Sequence, residues 1–306
     1  MAARPAHGRV TESRVRGTPS GAIFDFRPGN RQPVQAMNAP STADMSVELE
    51  LVRNMVREAG DLLVGLRPKL PDIGIHGKGP FDLVSDADMA SHELISRRIL
   101  ERFPHDSILS EEGADVDHRV GRCWIVDPLD GTANFLHGQD HVSVSAALYV
   151  EGQPKVAAVR APFFDQTYWA ASGQGAFRDG QPLEPGPAVP PERALIGVGF
   201  PADRSGIGPL IDRLHPLLRE FGDVRRLASP ALDICWVADG RLDAFLDSVK
   251  IWDIAAAGLI AAEAGFTVQS VEEDIREPEP PAGRSYLVAP ERLAQGILAA
   301  ISGDRR

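Results

Sequence analysis

The chain has 306 residues, 43% of them hydrophobic and 25% charged, and a formal net charge of −11. These values fit a globular protein of about two ordinary domains or one large α/β unit, and the acidic balance excludes a general affinity for the nucleic-acid backbone or an anionic membrane. No apolar run approaches the roughly 18 residues of a membrane span, and the N-terminus lacks the apolar stretch of a secretory signal, so a cytoplasmic location is expected.

In chain order, residues 1–44 are rich in Arg, Pro, Gly, Ser and Ala without a sustained period, which predicts a disordered extension. Met37 and Met45 stand just before regular patterning, so part of this segment is expected to be an upstream extension of the reading frame. From Ser46, apolar residues at spacings near three and four predict a helix to Leu66, with Ser46 as N-cap and Pro68 as the stop. A loop (IGIHGKGPFD) follows, then a short strand, Leu83 to Ser85, and a helix from Ala87 to Phe103. Ser107–Ser110 and Cys123–Val126 read as strands, followed by three antiparallel strands over His141–Val150, Lys155–Phe163 and Thr167–Ala171. The proline-rich stretch near residues 182–193 predicts the junction of two halves of a domain spanning 45–306. Beyond it, strands are expected at Leu195–Phe200, Arg225–Leu227 and Leu242–Leu246, with helices at Ile207–Phe221, from Ser229-Pro230 to Asp239, and at Asp253–Ala264. Strand, proline-rich loop, strand and a helix to about Ile301 close the chain. Cys123 and Cys235 lie far apart in apolar contexts and read as small buried hydrophobes.

The stretch WIVDPLDGTANF (124–135) leaves an apolar strand through two carboxylates flanking a proline. Asp, Pro and Gly in that order are ordinary β-turn chemistry. Yet other acids also sit at the ends of apolar elements: Asp82, Asp88, Glu111, Glu112, Asp247 and Asp253. Desolvating like charges together is costly unless something positive satisfies them, and clustered oxygen ligands suit a hard cation such as Mg²⁺. Gly131-Thr132 could open a short helix whose N–H groups face an anion. Metal carboxylates beside a phosphate-sized nest suggest metal-assisted phosphoester hydrolysis. His137 and His141, poor ligands for Mg²⁺, read as structural or surface residues.

Four motifs in order resemble the inositol monophosphatase superfamily of Mg²⁺-dependent, lithium-sensitive sugar-phosphate phosphatases: DLVSDAD (82–88), SEEG (110–113), DPLDGTANF (127–135) and WDIAAAG (252–258). The resemblance implies a five-layered α/β/α/β/α sandwich, commonly a homodimer. It implies that Glu111, Asp127 and the Leu129 carbonyl hold one Mg²⁺ and that Asp127, Asp130 and Asp253 hold a second, with a weaker third near Glu111 and Mn²⁺ as a substitute. Thr132 with Asp88 would activate the attacking water, which Glu111 would orient, and the N–H groups of Gly131 and Thr132 would cradle phosphate. Ser229, Asp247 and Lys78 would border the substrate. Three positions depart from the family pattern. Ser85 replaces Thr, Ala228-Ser229-Pro230-Ala231 stands for Gly-Ser-Ala-Ala, and Asp247 is a methylene shorter than the usual Glu. The expected substrate is therefore inositol monophosphate or a related small polyol phosphate. Alternatives are fructose 1,6-bisphosphate, histidinol phosphate or 3′-phosphoadenosine 5′-phosphate, or a non-catalytic regulatory role; no nucleic-acid or membrane partner is expected.

Overall fold

The computed structural model describes residues 44–79, 82–113, 115–200, 207–271 and 284–303, with the side chains of Lys78, Gly79, Asp82 and Pro209 excepted. The expected disordered extension thus lies outside the described residues, apart from Asp44. The first half runs α1 (Ser46–Leu66), β1 (Ile75–Gly79), β2 (Asp82–Ser85), α2 (Asp86–Arg102), β3 (Ser107–Ser110), β4 (Arg122–Asp130), the short α3 (Thr132–Leu136), β5 (Ser143–Val150), β6 (Gln153–Ala161), β7 (Gln166–Ala171), β8 (Ala176–Arg178) and β9 (Gln181–Pro182). The second half runs β10 (Leu195–Val198), α4 (Ile207–Glu220), β11 (Asp223–Arg225), α5 (Pro230–Ala238), β12 (Ala244–Val249), α6 (Ile251–Glu263), β13 (Thr267–Ser270), β14 (Arg284–Ala289) and α7 (Glu291–Ser302).

Strands β3 to β9 form a seven-stranded sheet in sequential order, and the proline-rich stretch carries the chain into a five-stranded sheet ordered β11-β10-β12-β14-β13. Alternation along each strand sends residues to opposite faces, so both faces of both sheets need cover. On one face of the larger sheet, Trp124, Val126, Ala146 and Leu148 bury against Val52, Met55, Val56, Ala59 and Leu63 of α1 and Ile95 and Ile99 of α2. On its other face, Cys123, Ile125, Ala147 and Tyr149 join α5, α6 and Phe245, Tyr286 and Val288 of the smaller sheet in one core. The far face of the smaller sheet packs Ile196, Leu246 and Leu287 against Leu217 of α4 and Leu293 and Ile297 of α7. The result is a five-layered α/β/α/β/α sandwich. The middle helix α6 is walled by sheets, which is why its Ala255-Ala256-Ala257-Gly258 run carries so little volume and is buried throughout.

Four local expectations change. Ser46 is not the N-cap of α1: Met45 holds that place, and the Asp44 carboxylate accepts the Ser46 N–H at 3.0 Å. The glycine-rich loop contains β1, paired antiparallel with β2. Strand β12 extends beyond Leu246 to Val249, pairing Asp247 with Tyr286 and Ser248 with Ser285 of β14. The fourth change, at Asp127–Gly131, shapes the site.

Candidate functional site

Strand β4 does not end at Val126. Its pairing with β5 runs on from Asp127 opposite Ser145 to Asp130 opposite Ser143, three steps against two, so the expected β-turn is a β-bulge within the strand. Pro128 suits a bulge because it has no N–H for the ladder. Its carbonyl accepts from Ser91 Oγ at 2.7 Å, and Asp127 Oδ1 accepts the Leu129 N–H at 3.1 Å. The reversal follows at Gly131, whose φ is +91°. A Cβ there would also lie 3.1–3.3 Å from the Ala228 and His141 carbonyl oxygens and Ser229 Cβ, so conformation and space both require glycine.

The bulge brings Asp127 and Asp130 to Asp253, at the third position of α6, with carboxylate oxygens of the three within 4.8 Å of one another. Neutral donors fix one side of each group. Asp130 Oδ2 accepts from Ser143 Oγ at 2.9 Å, Ser229 Oγ at 2.6 Å and the Ala231 N–H at 2.9 Å. Asp253 Oδ2 accepts the Lys250 N–H at 2.7 Å. Burial dominates the electrostatics, and further carboxylates add to it. Asp127 is held well above the usual carboxylate range by desolvation, then by the charges of Glu111, Asp130 and Asp253. Asp253 is raised for the same reasons, with Asp130 and Glu111 as its charged neighbours. Asp130 is pushed up to about 6 by burial, against the pull of its serine hydrogen bonds. Glu111 follows the end of β3, tied to β4 by its N–H to the Val126 carbonyl at 3.2 Å. The donor set is hard oxygen, held by hydrogen bonds and crowded with like charge. A divalent cation fits it.

Beside the acids, Thr132 Oγ1 donates to Asp88 Oδ1 at 2.8 Å and lies 3.1 Å from the Leu129 carbonyl oxygen. Asp88 is the N3 residue of α2 in a capping box with Ser85: its Oδ2 accepts the Ser85 N–H at 2.7 Å and Ser85 Oγ at 2.5 Å. Burial raises its pKa in spite of these bonds. The Ser85 replacement therefore keeps the hydroxyl in use.

The expected substrate residues are more dispersed. Ser229 is buried and its hydroxyl is committed to Asp130. Asp247 sits on β12 against Gly199, with its carboxyl pushed up to about 7 by burial. Lys78 lies in β1, and its side chain is outside the described residues. Pro230 occupies the first turn of α5, where its missing N–H costs the helix nothing. His137 is exposed, whereas His141 is buried, 2.6 Å from Asp233 and edge-on to Trp236, a structural role. Ser143, Ser91 and Asn134 escaped the sequence reading. Asn134 Nδ2 donates at 2.7 Å to both the His141 and Leu227 carbonyls, tying α3 to the segment before α5. Ser143 had one signal, a hydroxyl at the head of an apolar strand.

The model of the Inositol monophosphatase family matches residues 44–305. An Inositol-1-monophosphatase of Rhizobium meliloti is 36% identical over 223 residues, covering 72% of this chain and 84% of the relative. The Nus factor SuhB of Pasteurella multocida is 34% identical over 231 residues, covering 73% and 85%. Among solved structures, the extragenic suppressor protein suhB of Bartonella henselae superimposes with a TM-score of 0.76 at 28% identity, covering 83% of this chain and 98% of that one. Family match, layered fold and acid cluster agree: the chain belongs to the inositol monophosphatase family.

Proposed function

We propose that the protein hydrolyses a small phosphate monoester with bound Mg²⁺, preferring inositol monophosphate or a related polyol phosphate. The observation that carries this reading is the meeting of the buried Asp127 and Asp130 with the half-buried Asp253, all within 4.8 Å. Glu111, Asp127 and the Leu129 carbonyl would hold one ion, and Asp127, Asp130 and Asp253 a second, with Mn²⁺ able to substitute. When bound, the ions make a water more acidic and offset charge on the ester oxygens. The chain's own residues do the rest. Thr132 hydrogen-bonds to Asp88, so that as the attacking water gives up a proton to the Thr132 oxygen, the hydroxyl proton passes on to the Asp88 carboxylate. Glu111 orients that water. The first N–H groups of α3, which have no intrahelical partner, would receive phosphate oxygens. Asp247 and the 228–231 segment border the alcohol, so their departures from the family pattern bear on which polyol is accepted.

The Nus factor name of one relative favours a second reading, a regulatory role in place of or beside turnover. One variant separates them. Asp127→Asn removes a shared metal ligand and should lower Mg²⁺-dependent phosphate release from a panel of inositol, sugar and nucleotide phosphates by at least about 1,000-fold. Activity that persists in the variant overturns the metal assignment, and a wild type inactive on every ester favours the regulatory role.

A further inference from the structure

Helix α2 supplies more than Asp88. Along one face, Asp88, Ser91 and His92 follow at i, i+3 and i+4, a spacing that stacks side chains on one side of a helix. Each reaches a different segment of the acid site. Asp88 receives Thr132. The fully buried Ser91 hydroxyl donates to the Pro128 carbonyl at 2.7 Å, at the centre of the bulge that carries Asp127 and Asp130. His92 Nδ1 lies 2.9 Å from Oγ of Ser110, which is 3% exposed and immediately precedes Glu111.

Ser110 also anchors the turn that carries Glu111. That turn is closed by the Gly113 N–H on the Ser110 carbonyl at 3.0 Å. A Cβ on Gly113 would stand 3.2 Å from Ser110 Cβ and 3.3 Å from His92 Cε1, so the imidazole is the floor on which the turn lies. Glu111 itself is tied to β4 by its N–H on the Val126 carbonyl at 3.2 Å, one residue before Asp127 of the bulge. The contacts of Ser91 with Pro128 and of His92 with Ser110 therefore reach both ligand-bearing segments from a single turn of helix.

We infer that Ser91 and His92 are positioning residues that fix the distance between the Glu111 turn and the β4 bulge, so that the metal ligands are gathered before metal arrives. The inference rests on the metal-phosphatase reading above. Outer partners of metal ligands commonly change metal affinity by about 10- to 100-fold. The probe is Mn²⁺ binding to the substrate-free protein, followed by electron paramagnetic resonance, beside the Mg²⁺ half-saturation and KM of phosphate release. His92→Ala and Ser91→Ala should each weaken Mn²⁺ about tenfold and raise the Mg²⁺ requirement in parallel, with the ester's KM at saturating metal unchanged. His92→Asn puts an amide where Nδ1 stands and should stay within about threefold of wild type, whereas His92→Gln, whose amide falls near Nε2, should behave as His92→Ala. Unchanged Mn²⁺ affinity in His92→Ala overturns the inference. So does equal affinity in the Asn and Gln variants, a comparison that still decides if the Ala variant does not fold. A wild type that binds no Mn²⁺ overturns the metal reading itself, and the positioning role with it.

Discussion

Replacing Ala228 with Gly should stabilise the protein. Ala228 stands at φ +63°, in the left-handed region, where its Cβ crowds the backbone. Its neighbours hold it there: the Leu227 carbonyl accepts from Asn134 at 2.7 Å, Ser229 Oγ is 2.6 Å from Asp130, and the Ala228 carbonyl oxygen lies 3.1 Å from where a Cβ on Gly131 would be. An L-residue in this conformation costs about 1–2 kcal/mol. Glycine's greater freedom in the unfolded chain returns about 0.4–1 kcal/mol of that. The net gain is about 0.5–1 kcal/mol, or about 1–2 °C in Tm for a chain of this length. Urea unfolding with an unchanged m-value, together with calorimetry, would measure it. Ala228→Val, β-branched, should move the other way. A Gly variant no more stable than wild type, or a Val variant as stable as Ala, would refute the claim that the site stores strain at this residue.

Two further changes probe the substrate side. The Asp247 carboxyl stands near 7 in the folded protein against 3.8 in the free residue, so the folded state keeps its proton longer and stability falls as pH rises from about 4 to about 7. Asp247→Asn should therefore be more stable than wild type at pH 8 by about 2 kcal/mol, allowing for partial exposure, and equal to it at pH 4; parallel pH profiles would refute the burial of that charge. In Gly199→Ala the new Cβ would fall 1.6 Å from Asp247 Oδ2 and must displace the carboxylate. The KM for inositol monophosphate should rise about tenfold, one lost hydrogen bond, at an unchanged Mg²⁺ requirement, and an unchanged KM removes Asp247 from the substrate site.

What could be read in advance follows from range. Helix α1 spans Ser46–Leu66 as its periodicity predicts, because its apolar stripe is a property of neighbouring residues. Strand β2 is legible over Leu83–Ser85, whereas its partner β1 is not, because IHGKG has neither alternation nor β-branched weight beyond Ile75. Strand β12 was cut short because Asp247 and Ser248 look like a turn, whereas their backbones pair with Tyr286 and Ser285. At the site, the acids were legible because carboxylates at the ends of apolar elements need a reason. Their holders were not. Ser229 reaches Asp130 across 99 residues, Ser91 reaches Pro128 across 37, and His92 reaches Ser110 across 18. A serine or histidine on a half-polar helix is an ordinary surface choice until the fold says what it faces.

Those holders supply dipoles, not charge, and this bears on how the protein answers to metal. Asp130 accepts three hydrogen bonds, all on Oδ2, and burial still lifts it to about 6, while Asp127 and Asp253 stay well above the usual range. Each has a folded pKa above its unfolded one, so without metal the site weakens the fold as pH rises from about 4 through at least 6. At low pH protons compete with the cation for the same oxygens, and the competition eases as pH rises. Mg²⁺ at 100 times its dissociation constant should add about 2.7 kcal/mol to stability at pH 8, several degrees in Tm, and a fixed Mg²⁺ concentration should add far less at pH 5. Thermal unfolding across a Mg²⁺ series at both pH values measures the difference. Equal shifts at pH 5 and pH 8 would mean that the ion binds elsewhere than at Asp127, Asp130 and Asp253, because protons compete with the ion for carboxylates whose affinity for them is raised, Asp130 to about 6.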